Sequence, residues 1–509
     1  MNELIQKKAL TFSIIDGALS SIMGSLAGGI FLTGFALKVL HAQPQQIGVL
    51  AALPLFANFI QLFGSYIIEK TGRKKELCFF SVVIGRMLWI LIIMLPFKIF
   101  APVGDFRIWV LVIVIAISSL FSSLSGVAWL AWMSDLVPEN MRGSYFGKRN
   151  MIASACGMLA ILAGGKFLTL WGNRFTESSP FGFVIIFIGG LIAGLIAVWF
   201  INNIPEVSAG NKVKNSRFEL KTFLNPFKDK NFLNLIIFVS AWMFGIQLAA
   251  PFYGVFMIEN LNINFSTITV FGAIATCATL FMMKIWGPIS DTLGNKPIII
   301  VSGWVLIIVP FVWIAALPGK YYAPVLMAHI LSGAFMAGAA LSQFNILIKL
   351  SPQDGRSVYL ALFSAITGLI GASAPIIGGG ISKMLEGVSF TFFTYNISNL
   401  QIIFIISSFI QLATIFFILK VKEPRASTPV AVIMQLKNDL NPQTGIAGAA
   451  DFMMVEIQRS ENILKQIDNV TEVMASSSER QVEKIINRLG QIFNKFTKKI
   501  KKLLKRNTD

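Results

Sequence analysis

The sequence predicts an all-α membrane protein: twelve transmembrane helices as two pseudo-symmetric six-helix halves, plus a cytoplasmic helical C-terminal tail. Three observations predict it. Apolar residues make up 55% of the chain and charged residues 13%, with a mean hydropathy of +0.70, a balance outside that of soluble domains. The apolar residues come in long uninterrupted runs without strand-like alternation. One charged turn between two such runs recurs, in the same frame, in the second half of the chain.

A bilayer crossing needs about 20 mainly apolar residues. By that measure the runs fall at 11–37, 46–69, 76–97, 107–133, 150–171, 181–201, 232–258, 266–290, 297–317, 323–348, 357–384 and 400–421. Helices are expected in each, because a backbone in hydrocarbon must satisfy its own hydrogen bonds. The 44 phenylalanines and 41 glycines suit such helices, where aromatics face lipid or cavity and glycine permits close packing. Met1–Lys8 is short and leads directly into a full-length run, so no cleavable signal peptide is expected. Cys78, Cys156 and Cys277 all fall inside apolar runs and read as small packing residues.

The net charge of +18 sits in loops and in the tail, which argues against nucleic acid as a partner. With the N-terminus inside, Lys7, Lys8, Lys70, Arg73, Lys74, Lys75, Arg142, Lys148, Arg149, Lys349, Arg356 and the 202–231 connector all become cytoplasmic. The opposite loops then hold only scattered single charges. This positive-inside bias places both termini in the cytoplasm of an inner or plasma membrane. The expected domains are a front half at 1–201, a basic linker at 202–231, a back half at 232–425 and a tail at 426–509. In the tail, Ile485, Leu489, Ile492, Phe496, Ile500 and Leu503 form one helical stripe flanked by lysines and arginines. A helix over 478–506 is expected to lie on anionic headgroups or to pack on a second helix over 451–475.

The recurrent turn reads Ser65-Tyr-Ile-Ile-Glu69-Lys70-Thr-Gly72-Arg73-Lys74 after the second run, and Gly287-Pro-Ile-Ser-Asp291-Thr-Leu-Gly294-Asn295-Lys296 after the eighth. A second repeat follows the fourth and tenth runs, as Asp135-Leu-Val-Pro138 leading to Arg142 and Lys349-Leu-Ser-Pro352 leading to Arg356. This pattern, at these ordinal positions, resembles the major facilitator superfamily of secondary transporters. The resemblance covers about residues 8–425. It implies two parallel six-helix halves that rock about a site held between them near the midplane. It also implies that Glu69 lies near the start of the eleventh helix, at Arg356-Ser357, and that Arg73 pairs with Asp135, latching the cytoplasmic side. Asp291 facing the helix start after Arg142 would be the symmetric latch, rewired because Asn295 and Lys349 replace the expected residues. The glycine run Ala374-Pro375-Ile-Ile-Gly378-Gly379-Gly380 resembles a motif of the family's drug antiporters, but lies in the eleventh rather than the fifth helix. Only Pro205-Glu206 and Glu423-Pro424-Arg425 faintly match the sugar-porter signatures.

Charged residues inside spans are costly and mark function. Arg86, about 15 Å into the third helix at 1.5 Å per residue, is a candidate for an anionic solute group or for pairing with a coupling carboxylate. Asp16, near the inner end of the first helix, is a candidate proton carrier or a helix-terminal cap. Lys284 is expected to snorkel to the interface. Asn58, Gln61, Gln247, His329, Gln343 and Asn345 are mid-span polar residues that either line a solute cavity or join helices.

The expected function is secondary active transport of a small organic solute by alternating access, driven by a proton or sodium gradient. An uncoupled facilitator, or a sensor on a transporter scaffold signalling through 426–509, are the alternatives. An enzyme is not expected: there are two histidines, no cysteine cluster and no paired carboxylates within a span. No phosphate-cradling G-x-x-x-x-G-K-[ST] loop is present. No metal or other cofactor is expected.

Overall fold

A computed structural model describes residues 3–97, 106–138, 141–175, 179–206, 225–352, 356–388, 390–392 and 395–440. Twelve of its helices are long and apolar enough to cross a membrane. In the front half they are Ile5–Lys38, Pro44–Thr71, Lys74–Met94, Arg107–Leu136, Ser144–Arg174 and Pro180–Asn202. In the back half they are Lys230–Asn260, Phe265–Leu293, Asn295–Ile314, Tyr322–Leu350, Val358–Met384 and Asn399–Lys420. A short hairpin, β1 (Phe390–Phe392) paired antiparallel with β2 (Tyr395–Ile397), precedes the twelfth span. Met1–Ser427 forms one compact unit. Thr428 begins another, whose described residues include the helix Pro429–Asp439, capped where the Thr428 hydroxyl accepts the Ala431 N–H at 3.3 Å. Most of the basic linker and the expected tail helix over 478–506 lie outside the described residues.

The fifth span begins earlier than its apolar run suggests. Its helix continues back to Arg142 through Tyr145, Lys148 and Arg149, so Arg149 is a helical residue inside the bundle and not a loop charge. The first span is interrupted at Ala27–Gly28, where Gly29 adopts a φ of 50°, and resumes as Gly29–Lys38. Only a residue without Cβ takes that conformation at no steric cost.

The bundle has two unlike ends. One carries the charged turns around residues 72 and 294. At the other, here the far end, the two halves press together. Gly48 of the second span backs onto the Pro375 carbonyl of the eleventh, with no room for a methyl group, and a Cβ at Gly379 would sit 2.8 Å from the Gln45 Cα. Between the fifth and eighth spans, Gly165 abuts Thr269, and the Ser266 N–H donates to the Thr169 hydroxyl at 2.9 Å. Phe265 wedges between Phe31 and Phe183, with ring centroids 6.4 and 5.6 Å away. Lys38 and Glu259 form an ion pair across the halves at 3.7 Å. Small residues at such crossings let backbones approach, which is how helices gain contact where lipid offers no hydrophobic drive. In the glycine run of the eleventh span, Gly379 therefore faces the other half, while Gly378 packs against Leu248 and Phe252 of the seventh span.

This packing sets an expected outcome. In a background lacking Cys78, Cys156 and Cys277, replacing Gly48 by Leu should raise maleimide labelling of a cysteine introduced at Asn264, beside the far-end seam. Unchanged labelling would contradict the close approach of Gly48 to Pro375.

Candidate functional site

At the charged end, each half holds its third span under a carboxylate that follows its sixth. In the back half, Glu423 accepts the backbone N–H groups of Asn295 (2.9 Å) and Lys296 (2.7 Å), the Asn295 amide (2.7 Å) and the Lys349 ammonium (3.0 Å). The N–H groups are those left unpaired at a helix start, where partial positive charge favours an anion. Gly294, at φ 91°, makes the turn that presents them. Lys296 in return donates to the Leu419 and Val421 carbonyls at 2.9 and 2.8 Å, closing the end of the twelfth span. In the front half, Glu206 accepts the Lys75 N–H at 3.2 Å, and Lys75 Nζ donates to the Asn202 carbonyl at 2.8 Å. Trp132 donates to the Pro205 carbonyl at 3.2 Å.

The expected Arg73–Asp135 pair is not the one formed. Gly72, at φ 69°, turns the chain so that Lys74 opens the third span and pairs with Asp135, while Arg73 swings outward to Glu76 at 3.3 Å. Arg142 closes the end of the fourth span, donating to the Ser134 and Val137 carbonyls at 2.7 and 3.3 Å. Glu69 and Asp291, the acids expected to reach across the halves, are both exposed. Ser65 is half-buried, and a Cβ at Gly287 would meet open space. Arg356 opens the eleventh helix, with its side chain outside the described atoms. The charged end thus carries pairs within each half, and among the described residues neither Glu69 nor Asp291 forms an ion pair across the halves.

Inside the front half lies a cluster that joins two of the expected span charges. Asp16 is 3% exposed. It accepts from the Ser20 hydroxyl at 3.0 Å and from Arg149 at 3.4 Å. Arg86 donates to the same Ser20 oxygen at 2.7 Å and to the Gly194 carbonyl. Arg149 also donates to the Ser13 carbonyl at 3.1 Å and sits over the Trp129 ring, 3.9 Å from its centre. A Cβ at Gly17 would sit 2.8 Å from the guanidinium carbon, so only glycine lets Arg149 reach this depth. Sequence reasoning found Asp16 and Arg86 but counted Arg149 as a loop charge. The signal available was its helical spacing, since Arg142, Tyr145 and Arg149 recur at steps of three and four.

The neutral candidates divide. Asn58 accepts from Gln61 at 3.1 Å and from Ser123 at 3.2 Å, joining the second and fourth spans. Asn345 donates to Ser290 at 3.0 Å, and Ser290 donates to Asn295 at 2.7 Å, tying the tenth span to the charged turn. His329 is tied to its own helix through the Val325 carbonyl at 2.8 Å, with Phe271 and Trp313 rings each 5.6 Å away. Gln343 is buried and Gln247 half-buried, on the tenth and seventh spans. Lys284 is exposed. Among the described residues no group of three or more metal-binding side chains occurs.

Two six-helix halves, each with its own charged turn and carboxylate cap, define a duplicated membrane bundle. The sequence matches the Major Facilitator Superfamily over residues 14–253 and again over 235–453, and the chain belongs to that family. Among solved structures it is similar to a mutant of the nucleoside transporter NupG (TM-score 0.63, 16% identity, covering 82% of this chain and 100% of that one). It is similar also to a D-xylose-proton symporter (0.61, 14%, covering 83% and 99%). A third is a bacterial homolog of the human lysosomal transporter Spinster in an inward-facing, unoccupied conformation (0.59, 15%, covering 87% and 100%). At these identities the likeness is one of fold. No curated protein matches the chain in sequence.

The Glu423 cap gives a pH-dependent outcome. Burial pushes its carboxyl upward, but the hydrogen bonds from Lys296, Asn295 and Lys349 outweigh this and hold it below its ordinary value of 4.5. A carboxyl depressed by folding stabilises fully above its unfolded value, and that stability is lost as pH falls through the lower folded value. Glu423→Gln should therefore cost about 2 kcal/mol at neutral pH, the scale of hydrogen bonds to a charged group. It should also flatten the acid limb of the melting-temperature profile below 4.5; a limb as steep as in the parent would contradict the assignment.

Proposed function

We propose that this chain is a secondary active transporter that carries a small organic solute across an inner or plasma membrane by alternating access, driven by a proton or sodium gradient. The observation that carries the reading is the unlike packing of the two ends. The halves meet along glycine-lined seams at the far end, while Glu69 and Asp291 stand exposed at the charged end. A rigid bundle with one permanent seam gains nothing from paired acids on its open side. A bundle with two poses uses them in the second pose, when the charged end closes.

With lysine and arginine bias setting orientation, the charged end is cytoplasmic and both termini lie inside. The pose described is then the inward-open one. The names of the structural neighbours, a nucleoside transporter and a xylose-proton symporter, support small-solute transport and ion coupling. The buried Asp16 is the ionisable group placed to couple. A carboxylate among spans must either stay paired or take up a proton as its surroundings rearrange.

Reconstituted in liposomes, the protein should accumulate solute against its gradient when a proton or sodium gradient is imposed. Asp16→Asn should abolish that accumulation. Flux that ignores the imposed gradients, and is the same in Asp16→Asn, would replace this reading with uncoupled facilitation.

A further inference from the structure

The Asp16 cluster holds two guanidiniums and one carboxylate, a net charge of +1 among the first, third and fifth spans, with Asp16 buried and the two arginines half-buried. An unmatched charge at that depth is costly, and the cost is relieved by a counter-ion or by water reaching the site. Each guanidinium has five N–H donors, and among the described residues Arg86 and Arg149 each commit two of theirs. The Trp129 ring that carries Arg149 has its own N–H buried with no acceptor among the described residues. Unmatched positive charge, spare guanidinium donors and an unused indole N–H therefore lie side by side. All three favour the same occupant, an acceptor with negative charge.

From this geometry we propose that the transported solute is an organic anion, whose carboxylate or phosphate group binds Arg149 beside Trp129, with Arg86 supplying the second charge. The proposal rests on the transport reading above and names its substrate class. Asp16 is the internal competitor for the same guanidinium. As the anion takes its place on Arg149, Asp16 loses its partner and takes up a proton from water. The cluster carries +1 before, and with a monovalent anion and one proton bound it carries +1 after. Anion and proton then cross together without net charge. The charged and titratable groups facing Asp16 are Arg86 and Cys78 on the third span and Arg149 and Tyr145 on the fifth. Of these, Arg149 holds its carboxylate directly and Arg86 reaches it through the Ser20 hydroxyl, while the sixth span contributes the Gly194 carbonyl that fixes Arg86.

The test is thermal stabilisation of the full chain in nanodiscs by four solute pools. One holds carboxylates (lactate, succinate, citrate, benzoate) and one phosphate monoesters (glycerol 3-phosphate, glucose 6-phosphate, AMP). The others hold neutral solutes (glucose, xylose, uridine) and cations (choline, spermidine). An anion pool should stabilise the protein, and Arg149→Gln should weaken that response by at least about tenfold. Arg149→Lys, which keeps the charge, should weaken it less. Binding should be about tenfold tighter at about pH 6 than at about pH 8, and Asp16→Asn should remove that dependence. Stabilisation by the neutral or cationic pool alone, no response to either anion pool, or an anion response equal in Arg149→Gln would overturn the proposal. Gradient-driven flux of a neutral solute in liposomes would do so too, while leaving the transport reading intact; absence of any driven flux would sink both.

Discussion

The pairing of Asp16 with Arg149 is the interaction on which the interior of the front half depends. Neither ion is tolerable alone in a low-dielectric bundle, and each is there because the other is. The surrounding sequence accommodates the pair. Gly17 makes room for the guanidinium, Trp129 supplies an aromatic face, and Ser20 bridges the carboxylate to Arg86. Because its ions come from three spans, the match between the charges depends on how those spans sit against one another. An odd charge embedded in the bundle is thus a structural constraint, and it is the feature on which the anion proposal above rests.

The charged end obeys a different economy. There the ions are close to water, and they serve as caps. Glu206 and Glu423 each close the start of a third span, and Lys75 and Lys296 each close the end of a sixth, so every half is locked internally. Lys74–Asp135 and Lys349–Glu423 complete the two sets with the polarity of one pair reversed. Both halves keep the acid after the sixth span; the back half lacks the fourth-helix acid, and Lys349, standing where the front half has Asp135, pairs with Glu423 instead. Each half is therefore capped by contacts of its own.

The far end is held by a softer set of contacts. Glycine and threonine seams, a ring wedge at Phe265 and one surface ion pair cross between halves. These are close in distance, but they bury no ionised group deeply, so parting them leaves no unmatched charge. This contrast, firm within halves and yielding between them, is what the proposed rocking of the halves would require.

Most of the architecture was legible in the chain, because hydrocarbon imposes simple rules: run length fixes the spans, and the two in-register turns reveal the duplication. Asp16 and Arg86 stood out for the same reason, as ions inside apolar runs. Arg149 did not, because its neighbours Ser144, Lys148 and Asn150 make the start of the fifth span read as loop; helical spacing could have placed it on the span, but only contact with the first span shows its partner. Nor did the choice between Arg73 and Lys74 for Asp135, since a left-handed turn at Gly72 decides which of two adjacent basic residues faces inward. The sequence by itself determined how many helices form and which charges lie within the apolar runs. The tertiary structure decided which charges meet, because pairing depends on the angle and register between helices far apart in the chain, and apolar periodicity does not encode these.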